Sequence, residues 1–488
     1  MKVTISKRLP ARGRLTVAIG TFEGRDQGRI GRAGLDRPAG AILRTLLASG
    51  DFRVRPGELQ VLHPAGGRIA RLIVVGLGSR AAFDSHCARA AAAAVVRRAR
   101  DAAAKNLFLI AFDDEPSIAR AMGEGAGLGH YRFDRFRSTK SPAPLARVEM
   151  IGVGARGEVA MRTGVRIGEA VSIARDLVAT PGADLPPEKL AAAARDVGRA
   201  AGARVTVHGP RELERLGMGA LLAVGRASAH PPRFVILERR AARTRRRPVV
   251  VIGKGVTFDS GGLSLKPADG MVRMKYDMSG AAAVIGLFHL LPALDPPFPV
   301  VGLIPTAENM PGGRALRPGD VVRTMDGTTV EVTNTDAEGR LLLADALGYA
   351  RKLEPECVVD LATLTGAIRI ALGSLAAGLF TPDDALAGEL EAAAAATGER
   401  VWRMPVWEEY EAELRSDTAD LVNSASRDGG ASIAAAFLAR FARGMRWAHL
   451  DIASTAWSLA DRPDQPRGPT GFGVRLLAEW ISRKTASA

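Results

Sequence analysis

A chain of 488 residues is too long for one ordinary hydrophobic core, so its length predicts two or three domains. Hydrophobic residues make up 47% and charged residues 24%, as in globular proteins, and two cysteines exclude a disulfide framework and a cysteine-based zinc site. The net charge of +15 keeps nucleic acid among the partners to consider, whereas Asp360 and Arg369 interrupt the most apolar segment, so we predict no membrane span.

Residues 1–160 are predicted to form an N-terminal α/β domain, because short β-branched runs alternate there with a helix. The predicted helix is the alanine-rich stretch 81–105. The predicted strands are Leu15–Gly20, Arg71–Gly76, Asn106–Phe112 and Val148–Val153. The first 14 residues are basic but lack the apolar stretch of a secretory signal, so we expect a cytoplasmic protein.

Residues 161–183 are predicted to contain a connecting helix, which the sequence Thr180-Pro181-Gly182 ends. The second domain, 184–488, opens with a helix start at Pro186-Pro187 and then alternates strands and helices. Several of its apolar runs are continuous, including Val249–Ile252 and Cys357–Leu361, which predicts strands buried on both faces. Binding sites in such open sheets form at the carboxyl ends of strands.

The densest basic cluster, Arg239–Arg247, lies between two apolar runs and is predicted to be an exposed turn. A solvated loop is the simpler interpretation, and a nucleic-acid footprint is the alternative. Aromatic residues are only 5% of the chain, so the sequence offers no evident stacking platform for single strands.

Seven charged side chains are concentrated at strand ends and in glycine-rich turns of the second domain. The acids are Asp259, Asp277, Asp336 and Glu338, and the bases are Lys254, Lys266 and Arg340. Acids gathered in this way repel one another unless cations neutralise them, and two divalent metals would do so. Taken singly, these residues have simpler interpretations. A lone lysine is usually a surface residue, and acids are common in the first turn of a helix, where they cap it.

Oxygen ligands favour Mn²⁺, Mg²⁺ or Zn²⁺, and the seven histidines show no ligand spacing. Two adjacent metals can lower the pKa of a water and polarise a carbonyl, which serves amide and phosphoester hydrolysis equally well. The residues alone therefore leave both reactions open.

The sequence resembles the cytosolic leucyl aminopeptidase family of two-metal exopeptidases, from roughly Arg71 to the C-terminus. The resemblance is carried by Gly253–Gly262, Asn334–Leu341, Glu308–Pro311, Asp360–Gly366 and Trp447–Ala453. It implies release of an N-terminal amino acid, preferably leucine or another apolar residue, from peptides with a free N-terminus.

The same resemblance assigns roles to individual residues. Metal ligation would fall to Lys254, Asp259, Asp277, Asp336 and Glu338, with Asp259 and Glu338 bridging two ions, Mn²⁺ or Zn²⁺, that share a hydroxide. Lys266 would neutralise the oxyanion, and Arg340 would hold a bicarbonate that relays the proton. Met274, Thr363 and Leu364 would line the pocket for the first side chain, with core packing as the alternative.

The family also implies an architecture: an N-terminal α/β domain and a C-terminal α/β/α domain, whose mixed central sheet carries a dinuclear metal site. It further implies a homohexamer. A DNA-binding role of the basic surface and a two-metal phosphoesterase are the alternatives to the peptidase.

Overall fold

The computed structural model describes residues 1–24, 34–139, 145–241 and 244–486 of the chain. These residues form two compact units, Met1–Ser172 with Ala460–Pro466, and Ile173–Leu459 with Arg467–Ala488. The division falls inside a long helix, Ala155–Ala179. The predicted domain boundaries at residues 160 and 183 stay a prediction.

The first unit is built on a six-stranded sheet of order β1-β6-β5-β2-β4-β3, parallel except for the β3–β4 pair. Its strands are β1 Lys2–Ser6, β2 Leu15–Thr21, β3 Leu59–Leu62, β4 Ile69–Gly76, β5 Asn106–Ile110 and β6 Arg147–Ile151. Its helices are α1 Arg37–Ser49, α2 Ser85–Asp101, α3 Pro116–His130 and the start of α4 Ala155–Ala179.

The second unit contains a nine-stranded sheet of order β16-β15-β18-β14-β9-β11-β8-β7, in which β10 also pairs with β11. The central pairs β9–β11, β9–β14 and β14–β18 are parallel, whereas β8–β11, β7–β8 and β15–β18 are antiparallel. The prediction of a mixed central sheet in a two-domain α/β protein is confirmed.

The strands of the second unit are β7 Arg204–His208, β8 Arg233–Arg239, β9 Val249–Gly253, β10 Gly255–Asp259, β11 Val300–Asn309, β12 Val321–Arg323, β13 Thr329–Glu331, β14 Cys357–Ala362, β15 Ala377–Phe380, β16 Val401–Met404, β17 Leu421–Val422, β18 Trp447–Asp451, β19 Trp457–Ser458 and β20 Gly468–Pro469. Its helices are α5 Pro187–Ala200, α6 Pro210–Leu216, α7 Gly219–Gly225, α8 Ala268–Met271, α9 Ser279–Leu294, α10 Gly339–Arg351, α11 Gly366–Leu372, α12 Asp384–Thr397, α13 Glu408–Ala412, α14 Gly430–Ala442 and α15 Val474–Ala486. Short 3₁₀ turns occur at Arg80–Ala82, Gly182–Asp184 and Met274–Met278.

The helices of the second unit fall into two packed groups. One group joins α5, α9, α12 and α15, and the other joins α7, α10, α11 and α14. Both α9 and α10 pack on β9 and β11. Side chains of β9 are fully buried, and alternate ones, Val250 and Ile252, share a core with Leu341 and Leu347 of α10. The central strands are therefore covered on both faces, which explains their continuous apolar runs.

One stretch, Met274–Leu294, is long and apolar enough to cross a membrane by length and composition alone. Within its most apolar window, 78% is buried inside the protein, which is the property of a core helix. It covers the 3₁₀ turn and α9, and it differs from the apolar segment that Asp360 and Arg369 interrupt.

Candidate metal centre

Lys254 follows the end of β9 and lies in a fully enclosed position, with 3% of its surface exposed. Its Nζ is 2.8 Å from Asp277 Oδ2 and 2.8 Å from Glu338 Oε1, and it donates a hydrogen bond of 3.1 Å to the carbonyl oxygen of Thr363. A buried ammonium needs such compensation, and two carboxylates supply it.

Asp259 ends β10, a strand that the sequence analysis did not separate from the loop after β9. Its Oδ1 accepts hydrogen bonds of 2.9 Å from Gly261 N and from Asn309 Nδ2, while its Oδ2 lies 2.9 Å from Lys266 Nζ. Gly261 has a φ of +86°, and a Cβ there would lie 2.8 Å from Asp336 Oδ1. Only glycine allows this turn to run so close to a second carboxylate.

Asp336 and Glu338 precede α10, as predicted, but the strand before them belongs to a separate sheet. That strand, β13, pairs with β12 and β17 and is not part of the nine-stranded sheet. The prediction that these two acids follow a strand of the large open sheet was therefore wrong. Asp336 Oδ1 lies 2.5 Å from Lys266 Nζ. Glu338 is 1% exposed, and beside it a Cβ on Gly339 would lie 2.6 Å from Lys254 Nζ.

Asp277 lies in the 3₁₀ turn Met274–Met278 and is 3% exposed. Its Oδ1 accepts a hydrogen bond of 2.7 Å from Thr363 Oγ1. Thr363 therefore binds Asp277 through its hydroxyl and Lys254 through its carbonyl oxygen, which fixes both groups at one end of the cluster.

The cluster contains more negative than positive charge. Four carboxylates face two ammonium groups, so two negative charges have no counter-charge among these six side chains. Burial raises the pKa of Asp277 and Glu338, and neighbouring carboxylates raise them further, although Lys254 opposes this effect. Burial lowers the pKa of both Lys254 and Lys266, but the surrounding carboxylates outweigh it, so both are raised. The acids hold protons tightly chiefly because they are buried, and the lysines do so because carboxylates surround them.

The donor set fits divalent cations. Carboxylate oxygens of Asp259, Asp336 and Glu338 lie within 4.8 Å of one another. Asp277 Oδ2, Asp336 Oδ1 and Glu338 Oε1 are buried and accept no well-directed hydrogen bond from the described residues, although each is within ion-pair distance of a lysine. Buried carboxylate oxygens in this situation are natural ligands for hard cations.

Arg340, in the first turn of α10, is 7% exposed. Its Nη1 donates to the carbonyl oxygen of Asn423 at 2.7 Å, and its guanidinium carbon lies 6.0 Å from the centre of the Phe437 ring. Within the described part of the chain, its buried Nε has no hydrogen-bond partner. Burial lowers the pKa of Arg340 to about 10, so the group remains cationic at neutral pH.

Sequence models of the cytosol aminopeptidase family match most of the chain: the catalytic domain matches residues 172–478 and the N-terminal domain matches residues 18–140. The chain belongs to the cytosol aminopeptidase family. It is therefore an aminopeptidase, a hydrolase of a metal-dependent family. The N-terminal match begins at residue 18, so the resemblance extends further than the start near Arg71 that the sequence analysis assigned.

Individual relatives cover nearly the whole chain. Probable cytosol aminopeptidases from Geobacter sp. (strain M21) and Roseiflexus castenholzii are 43% and 44% identical to it, covering 96% and 90% of this chain and 96% and 92% of their own lengths. The solved structure of the bottromycin maturation enzyme BotP in complex with Mn has a TM-score of 0.87 and 41% identity, covering 97% of this chain and all of that one.

Of the three residues expected in the aminopeptidase's first pocket, Thr363 lies against the cluster, as described above. Met274 shares the 3₁₀ turn of Asp277 and is partly buried. Leu364 is partly buried and packs against the hydrophobic core, and its role in the pocket stays a prediction.

Two residues at the centre received no role from the sequence. Asn309 binds Asp259 and donates a hydrogen bond of 3.0 Å to the carbonyl oxygen of Thr335, thereby joining the two carboxylate-bearing loops. It lies within the quoted run Glu308–Pro311, so the family motif was the signal. Asn423 carried no such signal, because its partners lie about 90 residues away in sequence.

Proposed function

We propose that this chain is a two-metal aminopeptidase that removes an N-terminal leucine or other apolar residue from peptides. Lys254, Asp259, Asp277, Asp336 and Glu338 would hold the metals, Mn²⁺ or Zn²⁺. The observation that carries the proposal is the convergence of four carboxylates with an uncompensated charge of two.

The two lysines divide the four carboxylates into two pairs. Each ammonium lies between two carboxylates, Lys254 between Asp277 and Glu338 and Lys266 between Asp259 and Asp336. Asp259 and Glu338 nevertheless act on the pKa of both lysines, whereas the strong effect of Asp277 is on Lys254. Asp259 and Glu338 would accordingly help to hold both ions, and Asp277 and Asp336 would each help to hold one.

Two bound divalent ions would lower the pKa of a water molecule and polarise the scissile carbonyl. Side chains would stabilise the charge that develops on the substrate. Lys266, at 16% side-chain exposure the more accessible of the two lysines, would donate a hydrogen bond to the carbonyl oxygen as it becomes negative. Lys254 would act as a ligand only as a neutral amine, held by Thr363.

Arg340 would bind a planar anion, bicarbonate, that accepts and returns the proton. Its Nη1 is already bound to the carbonyl oxygen of Asn423, and its buried Nε donates to no atom of the described residues. An arginine fork suits such an anion because two parallel N–H groups match two oxygens.

The test is hydrolysis of Leu-p-nitroanilide with added Mn²⁺, with and without a chelator, beside N-acetyl-Leu-p-nitroanilide. We expect cleavage of the first substrate only, lost on chelation. Equal cleavage of the acetylated substrate would refute an exopeptidase that needs the free amine. Faster turnover of p-nitrophenyl phosphate would favour the phosphoesterase.

We also propose a cytoplasmic homohexamer, on the family resemblance. Exposed apolar side chains in the second unit, among them Ile370 at 89% and Trp402 at 65%, are compatible with subunit contacts. Light scattering should give roughly six times the chain mass of 51.4 kDa, and a mass of one chain would refute this assembly.

DNA binding by the basic surface is a separate proposal that rests on the net charge of +15. Within the cluster, Arg239 is paired with Asp295 at 2.8 Å, and residues 242 and 243 lie outside the described residues. A mobility shift on duplex DNA, repeated after neutralisation of Arg239–Arg247, is the test. Unchanged binding would mean that the cluster is not the footprint.

A further inference from the structure

Asn423 is a fully buried polar residue placed at the edge of the candidate metal centre. It follows β17, which pairs in parallel with β13, and its own backbone N–H continues that pairing by donating to the carbonyl oxygen of Glu331 at 2.9 Å. Its exposed fraction is 0%. The pairing of β17 with β13 therefore brings its side chain beside the segment that leaves β13.

Both the oxygen and the nitrogen of the side-chain amide form hydrogen bonds with that segment. Its Oδ1 accepts hydrogen bonds from the backbone N–H groups of Thr333 at 2.9 Å and Asn334 at 3.2 Å. Its Nδ2 donates to the carbonyl oxygens of Asn334 at 2.7 Å and Ala337 at 3.2 Å. An asparagine amide offers two acceptor positions and two donors, and all four are used here.

These contacts surround the residues that bear the carboxylates. Asp336 lies between Asn334 and Ala337, and Glu338 comes directly after Ala337. The backbone carbonyl oxygen of Asn423 meanwhile accepts the hydrogen bond from Arg340 Nη1. One residue thus contacts the chain on both sides of Asp336, next to Glu338, and at the side chain of Arg340.

We propose that Asn423 is a positioning residue of the active centre, which fixes the Thr333–Ala337 segment so that Asp336 and Glu338 reach the metals and Arg340 keeps its orientation. The inference rests on the proposed dinuclear site. Without Asn423 the N–H groups of Thr333 and Asn334 and the carbonyl oxygen of Ala337 would lose these partners, and the two carboxylates beside them would be held less firmly. Outer contacts of this kind typically change metal affinity by about 10–100-fold.

The experiment measures metal binding directly, by titrating metal-free protein with MnCl₂ in a calorimeter and by the Mn²⁺ electron paramagnetic resonance signal. In Asn423→Ala we expect manganese affinity to fall by about 10–100-fold. Turnover should fall through kcat more than through KM, because Asn423 touches no proposed substrate-binding group. Asn423→Ser can replace part of the hydrogen bonding, so we expect a smaller loss; it also carries the test if the alanine variant does not fold.

Glu399→Gln is the matched control. Glu399 is 4% exposed and its Oε2 accepts hydrogen bonds from two backbone N–H groups, those of Gly473 and Leu476, but it contacts none of the proposed ligands. We expect this variant to lose thermal stability while its manganese affinity remains unchanged.

The outcomes separate the two claims. If the natural protein binds no manganese, the proposed function fails. If it binds manganese and Asn423→Ala or Asn423→Ser binds within twofold of it, only the positioning role is overturned. The positioning role is also overturned if Glu399→Gln weakens binding as much as Asn423→Ala, because the loss would then reflect general destabilisation.

Discussion

Gly339→Ala distinguishes a requirement of the metal centre from the ordinary preference of helices. Gly339 is the first residue of α10, and replacing a helical glycine by alanine normally stabilises the helix by up to about 1 kcal/mol. At this position, however, the new Cβ would lie 2.6 Å from both Nζ and Cε of Lys254. Helix propensity and the space around Lys254 therefore predict opposite effects.

The clash cannot be relieved cheaply. Carbon atoms in normal contact lie about 3.5–4.0 Å from their neighbours, so the end of Lys254 must retreat by about 1 Å. That movement lengthens contacts of 2.8 Å to Asp277, 2.8 Å to Glu338 and 3.1 Å to Thr363 in a site with 3% exposure. A displacement of about 1 Å in a catalytic constellation can cost about 100-fold in rate.

We therefore expect Gly339→Ala to lower kcat for Leu-p-nitroanilide by about 100-fold and to weaken Mn²⁺ binding. Gly388→Ala is the control, since Gly388 lies within α12 and a Cβ there would meet nothing within 4 Å. That variant should keep full activity. A Gly339→Ala protein with natural kcat and manganese affinity would refute the argument from the space around Lys254.

Three further predictions concern the centre and its support. Lys266→Ala should lower kcat by about 100–1,000-fold, as removal of an oxyanion donor does, with retained metal measured by mass spectrometry; loss of metal would show that the role is wrong. Removing bound metal with a chelator should destabilise the protein, by about 2.7 kcal/mol where metal had been present at 100 times its Kd, and an unchanged thermal midpoint would contradict a bound metal. Burial raises the pKa of Asp345 to about 7, so the folded protein binds this proton more tightly than the unfolded chain does. Protonated Asp345 therefore contributes to the free energy of unfolding at low pH, and that contribution is lost as pH rises from about 4 through 7. Asp345→Asn should flatten the pH dependence of the unfolding free energy in that window, and an unaltered pH profile would contradict the assignment.

The sequence predicted the parts of the fold that depend on local pattern. Continuous apolar runs located β9 and β14 within one residue of their ends, since such strands are buried on both faces. Helices with many small or charged residues were missed, among them α1 and α3. In α3, seven of fifteen residues are alanine or glycine and four more are polar or charged, which hides the helical period of its buried face.

Motif spacing located the residues of the candidate centre, and the structure brings the four carboxylates and two lysines into contact. What the spacing could not supply is the way in which they are held. Asn309 and Thr335 are 26 residues apart, Thr363 and Asp277 are 86 apart, and Asn423 and Asn334 are 89 apart. These bonds join segments that are distant in sequence, and the pairing of β10 with β11 and of β13 with β17 brings two of those pairs together.

Neutral side chains hold the loops that carry the carboxylates. The carboxylates repel one another in the assembled site, so the folded strands and their hydrogen bonds must supply the free energy that holds them together until cations bind. Asn309 and Asn423 contribute neutral hydrogen bonds, which fix the loops without consuming any of the negative charge that would attract the metals. A lysine or arginine at Asn423 would have no acceptor for the N–H groups of Thr333 and Asn334, and at either position its charge would cancel part of that attraction. Uncharged amides therefore suit both positions, and replacing Asn423 by a cation of similar reach should weaken metal binding more than replacing it by serine does.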